Sequence, residues 1–148
     1  MKIAYQLRPA TIKDREFLMY LEKLICAQYP EIMERWDDDY QKNHYEHHFR
    51  PKYVSIIQYN NIPIGAVSIV SRRRDISIVY IYLLPEFQDK DIDVSLLKLV
   101  LKRAKKEHKT VMKCIFKGDT RAKKIYSRFG FVLFAEDELR WRFKWIPS

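Results

Sequence analysis

Glycine is scarce in this chain, with three in 148 residues, at Gly65, Gly118 and Gly130. Any turn that holds a phosphate must therefore be built largely from other residues. Cysteine is scarcer still: Cys26 and Cys114 lie far apart, with no Cys-x-x-Cys or Cys/His ligand spacing. That fits reduced thiols in a cytoplasmic protein. Cys114 sits in an apolar strand, where a packed core thiol is expected. Long apolar runs are also missing. The segment Met1-Lys2-Ile3-Ala4-Tyr5-Gln6 lacks the continuous apolar stretch of a signal peptide. Residues 53–71 carry no charge, but Gln58, Asn60, Asn61, Pro63 and Gly65 interrupt them, so they read as a hairpin about Asn60-Asn61. No membrane span is expected.

What the chain does have is apolar bulk and positive charge. A content of 47% hydrophobic and 14% aromatic residues suffices for one core, which predicts a single domain over 1–148. The formal net charge of +9 favours an anionic partner: nucleic acid, an acidic membrane surface or a phosphate-rich cofactor. Arg72, Arg73 and Arg74 read as a solvated hairpin tip. Lys98, Lys102, Lys105 and Lys109 recur at helical spacing opposite Leu97, Val100, Leu101 and Ala104, the pattern of an exposed helix face.

The patterning predicts an order of elements. A strand ends over Leu7 to Ala10, and Thr11 with Asp14 forms a capping-box start for a helix whose apolar stripe is Phe17, Leu21, Leu24 and Ile25. A more polar helix lies between Ile32 and Phe49, broken near Trp36 to Asp39. Strands follow over 53–59, 62–71 and 76–84, then a helix over 94–108, a strand over 111–116, a helix over 120–129 closed by Gly130, and final strands. The last alternates Leu139, Trp141, Phe143 and Trp145 with Arg140, Arg142 and Lys144, giving one buried and one wet face. The fold class is α/β (α+β), a mixed sheet with helices on both faces.

Two segments carry chemistry. Residues 84–97, Leu-Pro-Glu-Phe-Gln-Asp-Lys-Asp-Ile-Asp-Val-Ser-Leu-Leu, join a strand to a helix without a glycine. Such a turn presents backbone N–H groups and a helix N-terminus to an anion. Residues 119–131 read Asp-Thr-Arg-Ala-Lys-Lys-Ile-Tyr-Ser-Arg-Phe-Gly-Phe. Together they resemble the GNAT superfamily of acetyl-CoA-dependent N-acetyltransferases. In that family a Leu-x-Pro-x-x-Gln/Arg-x-x-Gly-x-Gly/Ala loop is followed by Asn-x-x-Ala-x-x-x-Tyr-x-x-x-Gly-Phe. Pro85, Gln88, Ile92, Leu96, Leu97, Ala122, Tyr126, Gly130 and Phe131 match. The resemblance extends weakly to Leu7 through Thr11 and to Ile62 through Ala66.

The resemblance implies a single-domain, mostly antiparallel GNAT-like sheet and an N-acetyltransferase that moves an acetyl group from acetyl-CoA to a primary amine of a small molecule or protein. It implies that the loop backbone over Gln88, Asp89, Lys90, Asp91, Ile92, Asp93 and Val94 binds the pyrophosphate, with Leu83, Leu84, Asp119 and Ala122 also contacting the cofactor. Tyr126 is then the catalytic acid for the departing thiolate, since a phenol can donate where a thiolate forms. Trp36, Asp37 and Tyr82 fall at the acceptor side. Tyr82 stands where a glutamate base is often found, and Asp119 replaces the motif's asparagine. Asp91 is tolerated in left-handed backbone better than most residues, but a carboxylate about 6 Å from a phosphate repels it by roughly 3 kcal/mol at an effective dielectric of 20. Asp93 also reads as a helix N-cap, and Asp89 as solvent-facing. The alternative is therefore a GNAT-fold binding or regulatory module that has lost acetyl-CoA binding. His44, His47 and His48 do not make a convincing ligand set, so no metal is expected. Nucleic acid is disfavoured, because strict alternation accounts for the basic and aromatic residues of 140–145. A homodimer through the terminal strand is expected.

Overall fold

The computed structural model describes residues 3–148. Its strands are β1 (Gln6–Pro9), β2 (Val54–Tyr59), β3 (Ile62–Ser71), β4 (Asp75–Leu83), β5 (Thr110–Phe116), β6 (Val132–Glu136) and β7 (Arg140–Trp145). Its helices are α1 (Arg15–Cys26), α2 (Pro30–Met33), α3 (Asp38–His47), α4 (Ile92–Glu107) and α5 (Thr120–Arg128). The strands form one sheet in the order β1-β2-β3-β4-β5-β7-β6. β1–β2, β2–β3, β5–β7 and β6–β7 pair antiparallel, while β4–β5 is parallel. This is the mixed, mostly antiparallel sheet expected from the motifs. The chain divides into two compact units, one running up to Ser68 with Tyr80–Ile92, the other comprising Ile69–Val79 and Asp93–Ser148.

In the first unit, local signals set each element. Thr11 and Asp14 make a reciprocal capping box around the short turn that leads into α1, and Arg8 donates to both carboxylate oxygens of Asp14 at 2.8 and 2.9 Å. Asn60 and Asn61 both take left-handed backbone, with φ of 51° and 64°, as the two-residue turn between β2 and β3 requires. The core joins Leu18, Leu21 and Ile25 of α1 to Tyr45 of α3, Val54 and Ile56 of β2 and Ala66 of β3. Each such aliphatic side chain contributes about 1.5–3 kcal/mol when fully buried. The buried stripe of α1 is thus Leu18, Leu21, Ile25 and Cys26, rotated from the expected one, and Phe17 and Leu24 lie on its flanks. Gly65 is required by proximity: a Cβ there would stand 2.3 Å from the Tyr82 carbonyl oxygen.

In the second unit, Leu96, Leu97, Val100 and Ala104 of α4 are buried, as are Val111 and Ile115 of β5, Ile125 and Tyr126 of α5, Phe131, and Phe143 of β7. Lys98, Lys102 and Lys105 lie on the exposed side of α4. Gly130, at φ 95°, closes α5, and the Phe131 N–H reaches the Tyr126 carbonyl at 3.0 Å. Two expectations change here. Cys114 is exposed rather than packed, because strand alternation gives the buried face of β5 to Val111 and Ile115. The terminal strand β7 lies between β5 and β6, so the sheet edge falls to β6, where Val132, Leu133 and Phe134 are exposed. Among the described residues no helix is long and apolar enough to cross a membrane.

Candidate active site

The strand-to-helix turn after β4 belongs to the first unit. Leu83 is buried at the end of β4, and the Leu84 N–H donates to the Ile64 carbonyl at 2.8 Å, extending the ladder by one residue. Pro85–Phe87 make a single 3-10 turn. Gln88 then folds back: its amide donates to the Leu83 carbonyl at 2.9 Å and accepts from the Gln28 amide at 3.2 Å. The side chain therefore braces the turn from within. Asp89 is 81% exposed, with one carboxylate oxygen 3.7 Å from the Lys90 ammonium. Asp91 is exposed and has φ 60°. It thus adopts the left-handed backbone that glycine enters without cost and aspartate enters more readily than most residues. Ile92, 1% exposed, anchors the far side of the turn.

The second unit holds the remaining cofactor-side residues. Asp93 lies in the first turn of α4, which begins two residues before the expected Val94, so Asp93 is not the residue before the helix. Its carboxylate accepts from the Val94 N–H at 2.9 Å and from the Arg121 guanidinium at 2.5 Å, with the second guanidinium nitrogen at 3.5 Å. A bidentate arginine offsets the negative charge that the sequence places here. Asp119 caps α5, accepting from the Ala122 N–H at 3.0 Å. Tyr126 is 6% exposed and meets Phe131 edge to face, with ring centroids 5.0 Å apart. Burial, followed by the charges of Asp93 and Asp119, pushes its hydroxyl well above the usual phenol range. The phenol stays protonated throughout the neutral range and so keeps a proton to donate.

Lys113 is a functional candidate that the sequence reading passed over. Its ammonium stands 5.9 Å from the centroid of the Tyr126 ring. Dense surroundings push this ammonium, on a side chain that keeps partial solvent access, down to about 8, with Cys114 and Asp119 opposing the shift. The signal was present as the one charged residue in the strand Thr-Val-Met-Lys-Cys-Ile-Phe.

The acceptor-side residues return to the first unit. Asp37 caps α3, accepting from the Asp39 and Tyr40 N–H groups at 3.0 and 3.1 Å, and the Trp36 indole donates to Asp38 at 2.8 Å. Asp38 in turn pairs with Lys23 at 2.9 Å. These contacts give Asp37 a helix-capping role. Tyr82 lies on β4 and stacks on Tyr80, with centroids 4.2 Å apart and planes at 11°. Glu22, also absent from the expected residues, accepts from the Tyr45 hydroxyl at 2.8 Å. It stands four residues after Leu18 and directly after Leu21, so a carboxylate beside the apolar stripe was the legible signal.

The sequence matches the acetyltransferase (GNAT) domain family over residues 21–147. The chain belongs to the GNAT acetyltransferase family. Solved GNAT structures share its fold at low identity. The PaiA N-acetyltransferase of Thermoplasma acidophilum, in complex with coenzyme A, superposes with a TM-score of 0.71 at 14% identity, over 97% of this chain and 99% of that one. Naa50 of Arabidopsis thaliana, in complex with the bisubstrate analogue CoA-Ac-MVNAL, gives 0.68 at 18%, over 97% and 99%. A putative phosphinothricin N-acetyltransferase gives 0.71 at 16%, over 98% and 99%. A search of curated protein sequences returns no match. In this GNAT chain the loop glycine position is filled by left-handed Asp91, and the asparagine position by a capping Asp119.

Proposed function

We propose that the protein transfers an acetyl group from acetyl-CoA to the nitrogen of a primary amine. The observation that carries this reading is the turn after β4. Gln88 braces it onto the Leu83 carbonyl, Asp91 supplies the left-handed residue, and α4 starts at once. That combination keeps the shape of an anion cradle without its glycines. The charge objection is reduced at two of three aspartates, since Asp93 is bound by Arg121 and Asp89 is solvent-exposed beside Lys90.

Acetyl-CoA would supply an acetyl group activated as a thioester. Backbone N–H groups over Gln88 to Val94 and the N-terminal turn of α4 would hold the pyrophosphate, Leu83 and Leu84 the neighbouring chain, and Asp119 and Ala122 the other side of the cofactor. Tyr126, held neutral by burial, gives its proton to the sulfur as the C–S bond breaks. Lys113 places a positive charge near the Tyr126 ring, which eases the charge that develops on the phenol after it donates. The incoming amine attacks only as the free base, so a proton must leave it first.

One observation favours the second reading, a GNAT-fold module that does not bind acetyl-CoA. The Val94 N–H, one of the groups assigned to the pyrophosphate, is already engaged by Asp93. Release of free thiol from acetyl-CoA, followed at neutral pH with a panel of primary amines, separates the two. Amine-dependent release supports the transferase; no release over the whole panel removes it, and the absence of acetyl-CoA binding as well is the result the second reading expects.

A further inference from the structure

Carboxylates are rare beside an apolar core, because an unpaired one is costly to hold there. Glu22 is such a case. It extends from α1 next to Leu18 and Leu21, and only partial exposure remains. The groups around it are known. From α3, Tyr45 donates to Oε2 at 2.8 Å and His44 adds a weaker favourable field; from β4, Tyr80 lies within its field, with Tyr82 stacked on Tyr80. Its neighbour Lys23 is turned to Asp38. Burial is the largest influence and pushes the carboxyl above its ordinary range, against the Tyr45 hydrogen bond and His44. The Tyr45 hydrogen bond falls on Oε2 and the Glu22 side chain keeps partial exposure, so a cation can approach the carboxylate beside it. Phenol rings and a reachable carboxylate are the elements that recognise an alkylammonium ion, through a charge-assisted hydrogen bond and cation–π attraction.

We propose that Glu22, with Tyr45, Tyr80 and Tyr82, forms the acceptor site and selects cationic alkylamines, its carboxylate taking the proton from the ammonium. The inference rests on the transferase reading above and names its substrate class. In the step, R–NH3+ gives one proton to the carboxylate, leaving neutral R–NH2 and a protonated Glu22. The nitrogen lone pair then forms the N–C bond as the C–S bond breaks, and the second nitrogen proton passes to solvent. Glu22 afterwards releases its proton to water. The product amide carries no charge, so it loses the ion pair that bound the substrate and departs. The environment suits this cycle, because a carboxyl raised toward neutrality accepts and returns a proton more readily than an ordinary one.

The test uses the full chain, its Glu22→Gln and Glu22→Asp variants, and three probes of equal carbon length: n-butylamine, 1,4-diaminobutane and 4-aminobutanoate. The parent should acetylate the first two and discriminate at least tenfold against 4-aminobutanoate, whose distal carboxylate stays within the field of Glu22 when the ammonium end is bound to it. Glu22→Gln keeps the volume and the Tyr45 hydrogen bond. It should lower kcat/KM for n-butylamine by about 100-fold and abolish the acidic limb of the pH profile, with acetyl-CoA affinity unchanged. Glu22→Asp should restore part of the activity and the limb. Equal rates and an unchanged pH profile in Glu22→Gln, or no preference among the probes, would overturn the proposal. A second readout does not need turnover: ring-proton shifts of Tyr80 and Tyr82 on titration with 1,4-diaminobutane, present in the parent and lost in Glu22→Gln. If those shifts appear while acetyl-CoA does not bind, the transferase reading fails and the amine site stands. If they are absent, the amine site falls.

Discussion

Tyr126 is fixed by packing, and the role as acid proposed for it depends on that same placement. Its ring fills space against Phe131 on the buried side of α5, while its hydroxyl is held protonated by burial and by the nearby charges of Asp93 and Asp119. Tyr126→Phe keeps the ring and removes the donor. It should lower turnover by about 10- to 100-fold and leave the melting temperature close to that of the parent; equal turnover would make the residue purely structural. Asp14 is the corresponding case for stability. Hydrogen bonding to Arg8, then to the Thr11 N–H, holds its carboxyl below the usual range against the opposing effect of burial. A carboxyl depressed in the folded state adds stability that is complete above the ordinary aspartate value, about 3.9. That stability is lost as pH falls through the lower folded value. Asp14→Asn should therefore destabilise the protein by about 1 kcal/mol at neutral pH and by less in acid, as read by urea unfolding at both pH values. A difference that does not shrink in acid would contradict this assignment.

At the scale of elements, signals of composition and spacing were legible where they are local. The Thr11–Asp14 capping box, the Asn60–Asn61 turn and the Gly130 cap each act within a few residues, and each stands in the fold as expected. The start of α4 was less legible. Its first residue is set by Ile92 entering the core after left-handed Asp91, a packing event that helix-cap preference at Asp93 does not report. Glu22 and Lys113 were missed for a related reason. Their meaning depends on partners distant in sequence, Tyr45 and Tyr126, so spacing alone marked them only as charges in apolar surroundings. Asp93 changed from a repulsive charge to one paired with Arg121, again through a partner 28 residues away. The loop gives a direct prediction. Asp91→Gly removes a charge and the cost of left-handed backbone for a side chain, so it should tighten acetyl-CoA binding several-fold. Asp91→Asn should give a smaller gain, since it removes the charge alone. Weaker binding in both variants would show that the carboxylate contributes favourably.

At the scale of the whole molecule, the family model and the solved GNAT structures agree on the fold, while identities of 14–18% leave the acceptor to be read from this chain's own residues. The net charge of +9 suits a polyanionic cofactor and would speed its capture at low salt. A homodimer remains our proposal; because β7 is flanked by β5 and β6, the exposed apolar residues of β6 are the natural place for it. The central claim is that a turn without glycine still holds acetyl-CoA. Calorimetric titration of the purified chain with acetyl-CoA tests it most directly. Saturable one-to-one binding is expected, much weaker for acetylpantetheine, which lacks the pyrophosphate assigned to the turn, and weaker for desulfo-CoA, which lacks the sulfur assigned to Tyr126. No binding heat at millimolar acetyl-CoA, with the protein folded, would contradict it and leave the fold as a scaffold for another purpose.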